Sequence, residues 1–154
     1  MKKVNLLLFF CVSCFASCNL SNVYEKNIEI PDFNWDYQFV PEFKVNIDDT
    51  SALYNLNVNI RHLDNYPYMN MWLQLHGSNP EGKQQKERIP IYLATKEGKW
   101  LGEGLNGVWM ASIPLKRKIK FPHKGLYTFG IEHDMRINPL PAVMNVGLRI
   151  EKTR

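Results

Sequence analysis

Residues 54–61 constrain the fold most. Tyr54, Leu56, Val58 and Ile60 alternate strictly with Asn55, Asn57, Asn59 and Arg61. Successive side chains of a strand point to opposite faces, so period two collects the four apolar residues on one side. In a helix the same residues would be spread around the circumference. The segment is therefore expected to be a β-strand with one buried and one wet face. The pattern recurs: Met71, Leu73 and Leu75 alternate with Asn70, Trp72 and Gln74. Ile89, Ile91 and Leu93 form a further run, as do Tyr127, Phe129 and Ile131, and then Val146, Leu148 and Ile150. Residues 23–30, 39–47 and 108–113 alternate less cleanly and are also expected to be strands. No window carries a helical period of useful length.

Turn formers separate these runs. Asp48-Asp49-Thr50-Ser51 precedes the clearest strand, and Gly77-Ser78-Asn79-Pro80-Glu81-Gly82 is dense in turn residues. Glu97-Gly98 is a further turn. Asn106-Gly107 suits the positive φ that a tight hairpin needs at both central residues. Pro114, Pro122, Pro139 and Pro141 are expected at strand ends or in loops, where a missing N–H does least harm. About seven to eight short strands at this spacing predict an all-β fold, an antiparallel β-sandwich.

The first residues are of another kind. Met1-Lys2-Lys3 is a positive start, and an apolar run from Leu6 to Ala16 follows. It is too short to span a bilayer, which takes about 20 apolar residues, and fits the core of a secretory signal. Phe15-Ala16-Ser17-Cys18 resembles a lipobox, with Phe15 at the usually aliphatic position. Cys14 is a second candidate, but Cys11-Val12-Ser13-Cys14 matches less well and would shorten the apolar core. All three cysteines lie in this segment. A chain exported to an oxidising compartment that keeps no other cysteine holds its fold without disulfides. The organisation expected is a lipoprotein signal peptide over residues 1–17, a lipidated N-terminus and polar tether over 18–26, and one domain over 27–154. Two or three acyl chains on Cys18 would tether the domain durably to a membrane. Apart from that covalent lipid, no cofactor is expected.

Of the net charge of +4, Lys2 and Lys3 belong to the signal. The weak balance left argues against nucleic acid, which needs a clustered basic footprint. The densest basic run is Lys116-Arg117-Lys118, with Lys120 close by. Two readings stand: a solvated edge, or a contact for anionic lipid or an acidic partner.

Signals for catalysis are missing. The four histidines, His62, His76, His123 and His133, show no zinc-ligand spacing and read as polar residues at strand ends or on wet faces. There is no Gly-x-Ser-x-Gly elbow and no Gly-Lys-Ser or Gly-Lys-Thr phosphate loop. Asp48, Asp49, Glu132 and Asp134 are explained by turns and strand rims. The aromatic residues say more. Tyr66, Tyr68 and Trp72 surround the start of a strand, and Trp100 and Trp109 flank a glycine-rich turn. They pack the core, or they form a surface for a protein or a glycan, since such rings also dominate binding hot spots. Trp100 either folds back as a plug over one end of the sandwich or projects as an anchor. Arg136 sits at a loop base, where it pairs with Asp134 or backbone carbonyls unless it serves a partner.

Tyr66-Pro67-Tyr68-Met69-Asn70-Met71-Trp72-Leu73 and Gly98-Lys99-Trp100-Leu101-Gly102-Glu103-Gly104 resemble motifs of the gliding-motility lipoprotein family GldH of Bacteroidetes. Gly125-Leu126-Tyr127-Thr128-Phe129, His133-Asp134-Met135-Arg136, Pro139-Leu140 and Val146-Gly147-Leu148-Arg149 continue the match in the family's order. The resemblance implies a non-enzymatic component of the gliding machinery and the linked type IX secretion system. It implies other gliding lipoproteins as partners at the outer membrane, and no catalytic residue to carry over. Asn19-Leu20-Ser21-Asn22 follows Cys18, with no acidic residue before Glu25. By the same resemblance, surface export would be marked by an acidic cluster there and inner-membrane retention by an aspartate directly after the cysteine. An outer-membrane anchor with the domain facing the periplasm is therefore expected. A carbohydrate- or small-ligand-binding envelope lipoprotein is the alternative.

Overall fold

The alternating runs pair into two antiparallel sheets. A computed structural model of the chain describes residues 22–153. The expected signal segment with Cys11 and Cys14, and the lipidation site Cys18, lie outside the described residues. The strands are β1 (Asn22–Glu29), β2 (Asn34–Trp35), β3 (Glu42–Ile47), β4 (Tyr54–Leu63), β5 (Asn70–Ser78) and β6 (Gln84–Tyr92). Then come β7 (Glu103–Leu105), β8 (Val108–Ile119), β9 (Gly125–His133), β10 (Leu140–Pro141) and β11 (Val143–Lys152). One sheet has the order β1-β11-β4-β8-β7 and the other β3-β9-β5-β6, while β2 and β10 form a short ribbon.

The faces obey the period. Leu56, Val58 and Ile60 on β4 meet Met71, Leu73 and Phe43 from the opposite sheet in one apolar core. The all-β sandwich is as expected, with three departures. Residues 22–26, read both as tether and, from Val23 on, as part of a strand, are strand. They pair with β11 from Asn22 opposite Glu151 onward, because β11 would otherwise be left with an unpaired edge. Pro114 lies inside β8, opposite Asn57 where the register shifts, so its missing N–H falls at an irregularity.

A third departure concerns the wet face of β4. Asn57 and Asn59 are buried, at 8% and 2% exposure. Position in the sheet is the cause: β4 is the middle strand of five. Asn59 Nδ2 donates to Glu25 Oε1 at 3.0 Å and to Asn27 Oδ1 at 3.3 Å, both on β1. The two asparagines meet across β11, where Gly147 stands between them in register. A Cβ on Gly147 would overlap the Asn27 carboxamide and come within 2.8 Å of the Lys26 carbonyl oxygen.

Antiparallel pairing gathers the connections at two poles. The near pole holds Asn22, the end of β11 and the loops 48–53, 79–83 and 120–124. The far pole holds the connections 30–41, 64–69, 93–102 and 134–139, and the turn 106–107. Gly147→Ala should lower stability by about 1–3 kcal/mol, since it displaces a hydrogen bond between side chains on β1 and β4. Urea denaturation would read this as a lower midpoint at unchanged slope.

Candidate functional site

The far pole is built around the end of β4. His62 continues the inward-facing series 54, 56, 58, 60 and is fully buried. The Leu63 carbonyl can only accept, so Nδ1 of His62 carries the proton and donates across 2.9 Å. Its Nε2 has no partner. Trp109 on β8 lies opposite His62, and Gly104 on β7 opposite Trp109. The Trp109 ring rests on Gly104, where a Cβ would sit 2.7 Å from ring carbons. Asn106 and Gly107, with φ of 50° and 78°, close the hairpin as their sequence led us to expect.

Asp64 follows β4 and holds the pole together. Its Oδ1 accepts from Trp100 Nε1 at 2.9 Å and from Trp109 Nε1 at 3.0 Å. Trp100 is brought there by a bridge to Ala94 and by the turn in which Gly98 N–H donates to Thr95 O. Its ring centroid lies 4.6 Å from that of His62 and 6.3 Å from that of Tyr66. Tyr66 is buried, lies 5.9 Å from Tyr68, and donates its hydroxyl to Asn70 O at 3.1 Å. Trp100 is thus the plug of the two arrangements its sequence allowed.

Tyr66, Tyr68, Trp100 and Trp109 come together, whereas Trp72 and Arg136 do not join them. Trp72 is on the outer face of β5, with the Arg88 guanidinium 3.9 Å above its ring. Arg88 also pairs with Asp134, the residue that sequence offered to Arg136. Arg136 is exposed and makes none of the ion pairs found among the described residues.

Two histidines differ from expectation. His62 and His133 are buried, and both sit at inward positions of alternating runs. His133 packs edge-on against Trp35, with ring centroids 5.3 Å apart. Burial pushes both imidazoles below their ordinary range. Burial likewise raises the Tyr66 phenol well above its usual value. The other two are surface residues: His76 meets Glu132 at 2.9 Å and His123 meets Glu81 at 3.4 Å.

Asp64 and His62 were the residues missed. Nothing local in the sequence ties Asp64 to indoles 36 and 45 positions away. For His62 a signal existed, since it extends the period of the strand. Chemically the cluster offers ring surfaces, and one of the two oxygens of its carboxylate is committed to two indoles. Among the described residues no three His, Cys, Asp or Glu side chains converge as metal ligands.

Around the cluster the surface is apolar. Twelve large hydrophobic side chains are exposed among the described residues, and ten of them lie at the far pole or on the strand ends that feed it. Of these ten, Leu105 at 75%, Tyr92 at 62%, Met69 at 50% and Tyr37 at 48% are the most open. Only Val23 and Leu126 lie at the other end.

The profile of the family described as GldH lipoprotein matches residues 22–150. This chain belongs to the GldH lipoprotein family. It is similar to "Gliding motility lipoprotein GldH homolog" of Christiangramia forsetii, at 29% identity over 96% of this chain and 94% of that protein. It is also similar to "Gliding motility lipoprotein GldH" of Flavobacterium johnsoniae, at 26% identity over 99% of this chain and 98% of that protein. The GldH match runs from β1 into β11, so both poles lie within it.

Asp64→Ala should cost about 1–3 kcal/mol, because two indole N–H groups lose a charged acceptor. Asp64→Asn, which keeps an acceptor oxygen, should cost less; urea melts followed by tryptophan emission separate the two. The histidines set an acid dependence. Their folded pKa values are depressed, so below about pH 6.5 the unfolded chain binds more protons than the folded one. Stability should be full above that pH and fall as the pH drops toward 5. A His62→Phe/His133→Phe variant should show a flatter profile over that window in denaturation midpoints.

Proposed function

We propose that this chain is a non-enzymatic gliding-motility lipoprotein, anchored in the outer membrane through lipid on Cys18 and facing the periplasm. On this reading the far pole binds other envelope proteins of the gliding and type IX secretion apparatus. The observation that carries it is the concentration of exposed apolar side chains at the pole opposite Asn22. Cys18 precedes Asn22 by four residues, a reach of at most about 14 Å. A lipid there holds the near pole against the membrane. The ten residues of β4 then carry the far pole roughly 30 Å outward, into reach of a partner. Apolar patches rimmed by polar residues mark protein interfaces, and tyrosine and tryptophan lead their hot spots.

The printed names of the two relatives support the gliding role. Asn19 after the cysteine, and the lack of acidic residues before Glu25, support the outer-membrane and periplasmic placement. A glycan-binding reading is supported by the open rings of Tyr68 and Tyr92. It is weakened by Trp72, Trp100 and Trp109, which are half-buried and already engaged.

Affinity purification from detergent-solubilised envelope should recover other gliding lipoproteins with the wild-type chain. Tyr92→Ser/Leu105→Ser alters two exposed positions, so it should leave stability within about 0.5 kcal/mol of wild type and reduce recovery about tenfold or more. Undiminished recovery would reject the far pole as the interface. Nothing above background with wild type would count against a binding role.

A further inference from the structure

We propose that the near pole is a docking surface for anionic phospholipid, which seats the domain on the membrane that its lipid enters. The inference rests on Cys18 being lipidated.

The near pole contains a cleft of about 360 Å³ between the two sheets. Leu56, Leu75, Phe121, Tyr127 and Phe129 form its apolar part, Lys83, Lys116 and Lys120 contribute its cations, and Glu81 and Glu87 also line it. The run of β8 that supplies Lys116 is irregular. Its register against β4 shifts on both sides of Leu56, and Lys118 takes a φ of 50°. Such bulges bend a strand and re-aim its side chains. The Lys118 N–H then donates to Asn55 Oδ1 at 3.0 Å instead of continuing the ladder.

Charge at this pole is one-sided once its ion pairs are drawn. Glu87 holds Lys116, Glu81 faces His123 at 3.4 Å, and Asp49 holds Lys152 at 3.1 Å. Asp48 accepts from Asn46 Nδ2. Lys83, Arg117, Lys118, Lys120 and Lys124 are all exposed and enter none of the ion pairs among the described residues. Residues 1–21 contain no acidic side chain to offset them.

Two independent facts choose the occupant. The first is chain length: a lipid on Cys18 keeps Asn22 within about 14 Å of the bilayer, and Asn22 is at this pole. The second is charge: basic side chains beside a lipid anchor are drawn to anionic headgroups. A phosphate meets Lys83 and Lys120, the two unpaired cations that line the cleft. The upper part of an acyl chain lies against Phe121 and Tyr127. The far pole exposes Asp32, Asp64 and Glu97 together with Lys96, Lys99 and Arg136, so the excess of unpaired cations is at the near pole.

The test uses the mature lipoprotein in phosphatidylcholine vesicles with or without phosphatidylglycerol, read by hydrogen exchange. Exchange of loops 79–83 and 120–124 should slow only when phosphatidylglycerol is present. The protection should vanish near 1 M salt, where charges are screened beyond about 3 Å. Loop 93–102 should exchange alike in both. Arg117→Glu/Lys120→Glu/Lys124→Glu, at three exposed positions, should abolish the protection while its urea midpoint stays in place. Equal exchange in the two vesicles, or protection that survives charge reversal, overturns the proposal. So does a variant that loses an acidic protein in affinity purification yet keeps wild-type behaviour on vesicles. Intact mass of the same preparation reports the lipid on Cys18 separately. If that lipid is missing, co-sedimentation with the same vesicles still scores the surface.

Discussion

A strand paired on both edges and covered on both faces must satisfy its polar groups within the protein. β4 is that strand, and the rest of the molecule follows from it. Its inner face is apolar and closes the core. Its outer face carries Asn59, whose Nδ2 donates to Glu25 and Asn27 on β1, two strands away, and whose buried Oδ1 finds no partner. β1 is therefore held by side chains as well as by its ladder to β11. β1 begins at Asn22, four residues after Cys18 in the sequence. The other end of β4 delivers His62 and Asp64, the residues around which the far pole is assembled.

The fold was legible because the period of two is enforced by burial. One slip of register would turn Leu56, Val58 and Ile60 out of the core, so the alternation had to be written clearly. The Asn106-Gly107 turn was legible for a local reason, the backbone it must adopt. β1 was legible only faintly, because an edge strand that sends just Tyr24 and Ile28 against the core carries little apolar pattern. The burial of Asn57 and Asn59 was not legible either, since it depends on β4 being central rather than on its own residues.

The site divides in the same way. Tyr66, Tyr68, Trp100 and Trp109 could be picked out because aromatic residues are few and conspicuous. Their meeting could not be read, because Asp64 binds indoles supplied by two other segments. Trp72 stood beside them in sequence, but the alternation of β5 already set it on the face opposite Met71 and Leu73, and it lies outward under Arg88. Arg136 lost its expected partner for a related reason. Asp134 is reached first by Arg88, which the pairing of β5 with β6 and β9 carries to it.

The buried aromatic cluster and the exposed apolar surface are two layers of one construction. Leu101 adjoins Trp100, and Leu105 adjoins Gly104, on which Trp109 rests. Both leucines are exposed, at 38% and 75%. Segments this open gain little rigidity from burial of their own. Here each is bracketed by an indole whose N–H is fixed on the same carboxylate oxygen. A surface held in place beforehand loses less conformational freedom on binding, so more of its contact energy appears as affinity. On this argument Trp100 and Trp109 act on a partner without touching it. On the proposed function the side chains that would touch it are Leu101, Leu105 and Tyr92, none of which a search for conspicuous aromatic motifs would rank first.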